Sequence, residues 1–194
     1  APIIGEIPWI DESESKTFQN PEDRNILAES FRILSSNINY LLSKNSDISD
    51  GKVILSTSTI KGEGKTFTAI NISLALASLG KKVLLIGADL RNPQLHKYVS
   101  TNKQMIGLTN CLIDPDFDWK SVTLKKFEHL PNHSTLLAGI MPPNPTQLLS
   151  NGNFETLIKK VKQEYDYIII DTAPTLLVTD TLMIADQADA TVYI

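Results

Sequence analysis

The chain has 194 residues, 42% hydrophobic and 21% charged, enough for one α/β domain with a well-buried core. Its formal charge of −4 argues against a non-specific nucleic-acid binder, which needs a basic face. A single cysteine, Cys111, excludes an intrachain disulfide framework and fits a reducing compartment, and the absence of a long apolar run or a signal peptide predicts a soluble piece with any membrane link outside it.

In chain order, residues 1–10 read as an extended, proline-punctuated segment and residues 11–23 as a polar, acidic loop, so that 1–23 form a linker ahead of a domain spanning 24–194. Apolar residues from Ile26 to Leu42 repeat with a helical period and predict a helix over Arg24–Leu42. A strand at Val53–Ser56 follows, then an amphipathic helix from Lys65 to Leu79 stopped by Gly80, and a second strand at Lys82–Ile86. A less regular stretch with short helices reaches Glu128, and a third strand is expected at Ser134–Ala138. Met141-Pro-Pro-Asn-Pro145 reads as a rigid turn whose last proline starts a short helix to Leu149. A helix over Phe154–Tyr165, an apolar strand at Tyr167–Ile170, a helix from about Leu176 to Asp186 and a strand at Thr191–Ile194 complete the chain. Strands alternating with helices predict a doubly wound, mainly parallel sheet flanked by helices, and the run of three isoleucines fits a parallel strand buried on both faces. The first residue is not Met and the last apolar run has no closing turn, so both ends read as cut.

The segment Val53–Thr66, VILSTSTIKGEGKT, has the layout of a phosphate-binding loop. A β-branched strand stops at a Ser/Thr/Gly loop, and Gly64-Lys65-Thr66 stands where a helix begins. Backbone N–H groups and the helix N-terminus supply partial positive charge for phosphates, and Lys65 supplies a full one. Thr59 stands where the pattern asks for glycine. The plainer reading, a strand–helix turn, is weaker because the strand before and the helix after are both present. The expected nucleotide-binding residues are Lys61, Gly62, Glu63, Gly64, Lys65, Thr66 and Phe67, with Arg91 as a further phosphate contact or a salt-bridge partner.

Two further strands end on acids, at Asp89 and Asp171. Ligands gather at the carboxyl ends of parallel strands, so both carboxylates can converge on the Mg²⁺ of a nucleotide held by Lys65, with the Thr66 hydroxyl as a third ligand. The competing readings are a helix N-cap for Asp171 and a turn residue for Asp89. His96, His129 and His133 lack metal-ligand spacing and read as surface or turn residues; Trp9 and Trp119 read as packing anchors, and Cys111 as a buried apolar residue.

The succession GEGKT, Ala88-Asp-Leu-Arg-Asn-Pro93, Met141-Pro-Pro-Asn-Pro-Thr-Gln-Leu-Leu149 and Asp171-Thr-Ala-Pro174 resembles the cytoplasmic domain of bacterial tyrosine kinases, the autokinases of capsule and exopolysaccharide export and relatives of the Min and Par ATPases. The resemblance runs from about residue 3 to the end. The lysine that marks the Min/Par loop would fall at position 60, which is Ile60 here.

The resemblance implies ATP and Mg²⁺ as cofactors, with Lys65, Asp89 and Asp171 as catalytic residues and Thr66, Asp89 and Asp171 holding the metal. It implies a homo-oligomer, a membrane-anchored polysaccharide co-polymerase portion on the same or a partner chain, a tyrosine phosphatase partner, no nucleic acid, and residence at the cytoplasmic face of the inner membrane. Glu29 and Arg32 match two positions of a ring-forming motif; Ser35 replaces its last arginine and would weaken the ring. Gly87 replaces the first acid of the family's Asp-x-Asp-x-Arg segment. The tyrosines are scattered, so the acceptor sites are expected beyond Ile194. The expected activity is ATP-dependent tyrosine autophosphorylation regulating polysaccharide synthesis and export. A nucleotide-binding assembly switch with weak or no transfer is the alternative, and a Par-like ATPase a more distant one.

Overall fold

The computed structural model describes residues 2–9, 18, 22, 24–43, 50–99, 106–176 and 179–194. Five strands form one all-parallel sheet: β1 (Lys52–Thr57), β2 (Val83–Gly87), β3 (His133–Leu136), β4 (Tyr167–Asp171) and β5 (Ala190–Tyr193), in the order β3-β2-β4-β1-β5. The helices are α1 (Ile26–Ser43), α2 (Lys65–Ser78), α3 (Leu108–Ile113), α4 (Pro145–Leu149), α5 (Asn153–Lys162) and α6 (Asp180–Ile184), with short 3₁₀ turns between. Alternation along the strands sends successive side chains to opposite faces. Ile54, Leu85 and Ile169 pack beneath α1 and α2. Val53, Leu55, Leu84, Ile86, Ile168 and Ile170 pack beneath α3 and α5. This is the doubly wound arrangement the sequence predicts.

Register sets the strand ends level. Ser56 of β1 and Gly87 of β2 both face Asp171 of β4, so three loops leave the sheet at one height.

Several expectations change. The second helix is not amphipathic: ten of its residues from Thr68 to Ala77 are buried, because α1 covers the side turned away from the sheet. The predicted helix from Leu176 shortens to α6 followed by a 3₁₀ turn at Ala185–Gln187. The N–H groups of Thr175 and Leu176 are bonded to the carbonyls of Ser58 and Thr59 at 2.9 and 3.1 Å, which holds that segment outside any helix. His133 is not a surface residue: it opens β3, is fully buried, and bonds through Nε2 to Ser73 Oγ at 2.9 Å. Trp9 is 94% exposed among the described residues rather than a packing anchor, while Trp119 is buried as expected.

Of the predicted 1–23 linker, residues 2–9 carry no helix or strand. Ile4 and Ile7 pack against the core beside α1, and Asn37 Nδ2 donates to the Ile4 carbonyl at 2.9 Å. Most of the predicted loop at 11–23 lies outside the described residues. Among the described residues no helix is long and apolar enough to cross a membrane.

Candidate active site

The loop between β1 and α2 is shaped by two glycines. Gly62 and Gly64 have φ of 97° and 93°, left-handed values that a side chain disfavours. The loop is braced from inside and outside. The Ile60 N–H donates to Glu63 Oε2 at 2.9 Å, and Ser58 Oγ donates to the Ile60 carbonyl at 3.0 Å. Thr59, the departure from the glycine pattern, shares a 2.6 Å hydrogen bond with the Tyr193 hydroxyl at the end of β5.

Helix α2 starts at Lys65 and carries the lysine into the space above the strand ends. Its Nζ lies 3.3 Å from Asp89 Oδ2 and 3.6 Å from Asp171 Oδ1, and donates to Thr66 Oγ1 at 3.3 Å. Thr66 Oγ1 donates in turn to Asp171 Oδ1 at 3.2 Å. Four residues singled out in the sequence, Lys65, Thr66, Asp89 and Asp171, therefore meet at the carboxyl ends of β1, β2 and β4. Asp171 is buried, and burial pushes its carboxyl up to about 6; the Lys65 charge and the Thr66 hydrogen bond act against that rise, and Asp89 adds to it. Asp89 is tied down at its other oxygen, where Oδ1 accepts the Asn92 N–H at 3.0 Å.

Among the described residues no three His, Cys, Asp or Glu side chains gather as a metal cluster. Two carboxylates and a hydroxyl suit a hard ion that keeps water or phosphate oxygens in its remaining positions, which is the habit of Mg²⁺. The buried Asp171 carboxylate, costly to ionise where it stands, is the kind of group such a cation relieves.

Arg91 forms the salt bridge that is one of its two expected roles, and it also lines a pocket beside Lys65. Its guanidinium grips Asp180 through Nε at 2.7 Å and Nη2 at 3.1 Å, and Nη2 also donates to Thr146 Oγ1 at 2.9 Å. Thr146 Oγ1 closes the triangle by donating to Asp180 Oδ1 at 2.5 Å. Burial raises the Asp180 carboxyl, but the hydrogen bonds from Arg91 and Thr146 and the Arg91 charge outweigh it and leave the carboxyl below its ordinary range. Sequence reasoning missed Asp180 and Thr146. Thr146 follows directly on the proline-rich turn and so carried a signal; Asp180 carried none.

Lys65, Thr66 and Asp89 line the same pocket above the strand ends; Lys61 is exposed at its mouth, and Phe67 contributes its ring to the wall. Glu29 and Arg32, expected to pair between subunits, form an ion pair with each other along α1, and the Arg32 guanidinium lies 5.0 Å from the centre of the Phe18 ring. Ser35 is fully buried within the chain, whereas Glu29 is exposed and Arg32 half-buried.

A family model described as an AAA domain matches residues 51–192. The tyrosine-protein kinase YwqD of Bacillus subtilis (strain 168) is 34% identical over 173 residues, which cover 89% of this chain and 70% of that protein. A tyrosine-protein kinase CpsD of Streptococcus agalactiae is 36% identical over 166 residues, covering 86% of this chain and 69% of that one. Among solved structures, the chimerical protein CapA2B2 superposes with a TM-score of 0.84 at 27% identity, covering 99% of this chain and 79% of that one.

Proposed function

This chain belongs to the P-loop AAA-domain family that contains these bacterial tyrosine-protein kinases, and we propose that it transfers the γ-phosphoryl group of ATP to protein tyrosine. The observation that carries this reading is the meeting of Lys65, Thr66, Asp89 and Asp171 above a glycine-shaped loop. Phosphoryl transfer rests on positioning and charge neutralisation, and these residues supply both. Lys65 and the amides of Lys61–Phe67 hold the phosphate oxygens. Thr66, Asp89 and Asp171 would hold Mg²⁺, directly or through water, and the ion would neutralise charge on the β- and γ-phosphate oxygens. A tyrosine phenol oxygen forms the new bond to the γ-phosphorus, the bond to the β,γ-bridging oxygen breaks, ADP leaves, and the phenol proton passes to water. In this reading the domain works in a homo-oligomer that serves capsular or exopolysaccharide export.

Gly87 favours a second reading, a nucleotide-binding assembly switch, because the position of the family's first acid has no carboxylate. Labelled ATP and Mg²⁺ with a tyrosine-containing acceptor polymer separate the two. The kinase reading expects labelled phosphotyrosine from the parent chain and none from Lys65→Met. If only Gly87→Asp labels tyrosine, the switch reading stands. ATP binding by Lys65→Met at the parent's affinity would remove the loop assignment that both readings share.

A further inference from the structure

The pocket that holds Lys65 is larger than a seat for phosphates. It encloses about 510 Å³ and runs from the phosphate loop past Asp89 to Gln94, Lys97 and Tyr98. The loop follows β1, whereas residues 94–98 follow β2, two strands away across β4. At roughly 4.8 Å per strand, that is about 10 Å along the sheet. Phosphates seated on the loop meet Asp89 and Asp171 at their outer end, so the space beyond those carboxylates is the side from which an acceptor reaches the transferred group.

An aromatic wall joins the two sides: the ring of Phe67, on the first turn of α2 beside the loop, and that of Tyr98, beyond β2, stand 6.4 Å apart at 50°, and Phe67 is fixed from behind by Phe31 in an edge-to-face contact at 5.9 Å. Both line the pocket, and a third ring can join such a pair in offset or edge contact. The charges divide between the two sides. Lys65 is countered by Asp89 and Asp171, and Arg91 by Asp180. Lys97 is exposed at the far end and forms no ion pair among the described residues.

We propose that Phe67, Tyr98 and Lys97 form the acceptor subsite: the ring pair seats the phenol of an incoming tyrosine, and Lys97 selects a segment with acidic residues flanking it. The proposal rests on the kinase reading, and its test is a binding measurement that needs no phosphoryl transfer. Fluorescent peptides with one tyrosine flanked by glutamates or by lysines are titrated into the chain loaded with Mg²⁺ and a non-hydrolysable ATP analogue. The acidic peptide is expected to bind at least tenfold tighter than the basic one. Lys97→Glu should erase or reverse that ratio, and Tyr98→Ala should weaken both peptides about tenfold, with affinity for the ATP analogue within twofold of the parent in each variant. Lys97 is exposed, so its substitution leaves the core intact and decides the matter even where Tyr98→Ala folds poorly. A peptide ratio unchanged by Lys97→Glu overturns the subsite. A parent chain that binds the acidic peptide selectively yet never phosphorylates it with ATP would keep the subsite and remove the kinase reading.

Discussion

Arg91 and Asp180, 89 residues apart, are joined by two hydrogen bonds of 2.7 and 3.1 Å, with the Asp180 side chain 3% exposed and that of Arg91 43% exposed. The pair binds the loop after β2, which carries Asp89, to the start of α6, and Thr146 adds the proline-rich turn to the same node. The two partners are not equivalent. Removing Arg91 strands a buried carboxylate, whereas Asp180→Asn removes the charge and keeps the shape. Arg91→Ala is therefore expected to cost about 1–3 kcal/mol in urea unfolding at pH 7, the solvent-facing side of the guanidinium holding it below the value of a fully buried pair. Asp180→Asn should cost about 1 kcal/mol. Equal losses would mean that the carboxylate finds another partner.

Position 87 has room for a Cβ. A Cβ there would stand 3.4 Å from the Ala138 nitrogen and from Leu95 Cδ2, ordinary contact distances, and Gly87 does not use a left-handed backbone. It faces Asp171 across the β2–β4 register. Gly87→Asp is expected to fold with a loss of stability, because the new carboxylate is buried opposite Asp171, and to raise the initial rate of tyrosine phosphorylation by about 10²-fold, the lower end of what a positioned acid–base group supplies. The rate of phosphotyrosine formation at saturating ATP checks this, and an unchanged rate would show that a carboxylate at 87 does not limit transfer.

The parts of this molecule legible in its sequence are those governed by local chemistry. The loop at Gly62–Thr66 announces itself because φ-positive glycines, a lysine and a helix start lie within five residues, and the acids at Asp89 and Asp171 because each ends an apolar run. The parallel sheet follows from β4, apolar on both faces. What stayed hidden depends on contacts remote in sequence. His133 reads as polar and exposed until β3 is placed beside β2 and under α2, where Ser73 meets its ring. The buried character of α2 cannot be read from its own residues alone, since it requires α1 above it. Asp180 gains its meaning only from Arg91.

Ser35 stands where the ring-forming motif carries its last arginine, and here it is buried. Its hydroxyl is fully buried and has no hydrogen-bond partner among the described residues. An unsatisfied buried hydroxyl costs about 1–3 kcal/mol, so Ser35→Ala is expected to stabilise the chain by about 1 kcal/mol. Ser35→Arg, the change that would complete the ring motif, should instead destabilise it by several kcal/mol, on the order of the cost of burying an unpaired charge. Chemical denaturation of the two variants beside the parent checks both signs. A stable Ser35→Arg chain with increased mass in sedimentation would return position 35 to the interface.

Asp171 and His133 are both buried, and their protons act on stability in opposite directions. Burial drives the Asp171 carboxyl up to about 6. A carboxyl whose folded pKa lies above its unfolded value favours the fold when protonated, so this contribution is complete below about pH 4 and is lost as pH rises through 6. Burial drives the His133 imidazole down to about 3. Ser73 Oγ donates its proton to the Ile70 carbonyl at 2.7 Å, so the ring meets Ser73 as the Nε2–H donor, and Nδ1 has no partner among the described residues. Its contribution is complete above about pH 6.5 and is lost as pH falls toward 3. Between pH 6 and 4 the two changes oppose each other, and the parent should show a shallow profile there. Asp171→Asn removes one of them. It is expected to stabilise the chain by roughly 2–3 kcal/mol at pH 7.5, at about 1.4 kcal/mol for each unit of pKa, and by little at pH 4. The same variant should then lose stability steeply on acidification, because the titration of His133 is no longer offset, and adding His133→Gln to it should flatten that limb. Urea unfolding at pH 4, 6 and 7.5 reads all three proteins. Parallel profiles for the parent and Asp171→Asn would show that Lys65 and Thr66 hold the carboxyl at its ordinary value despite its burial.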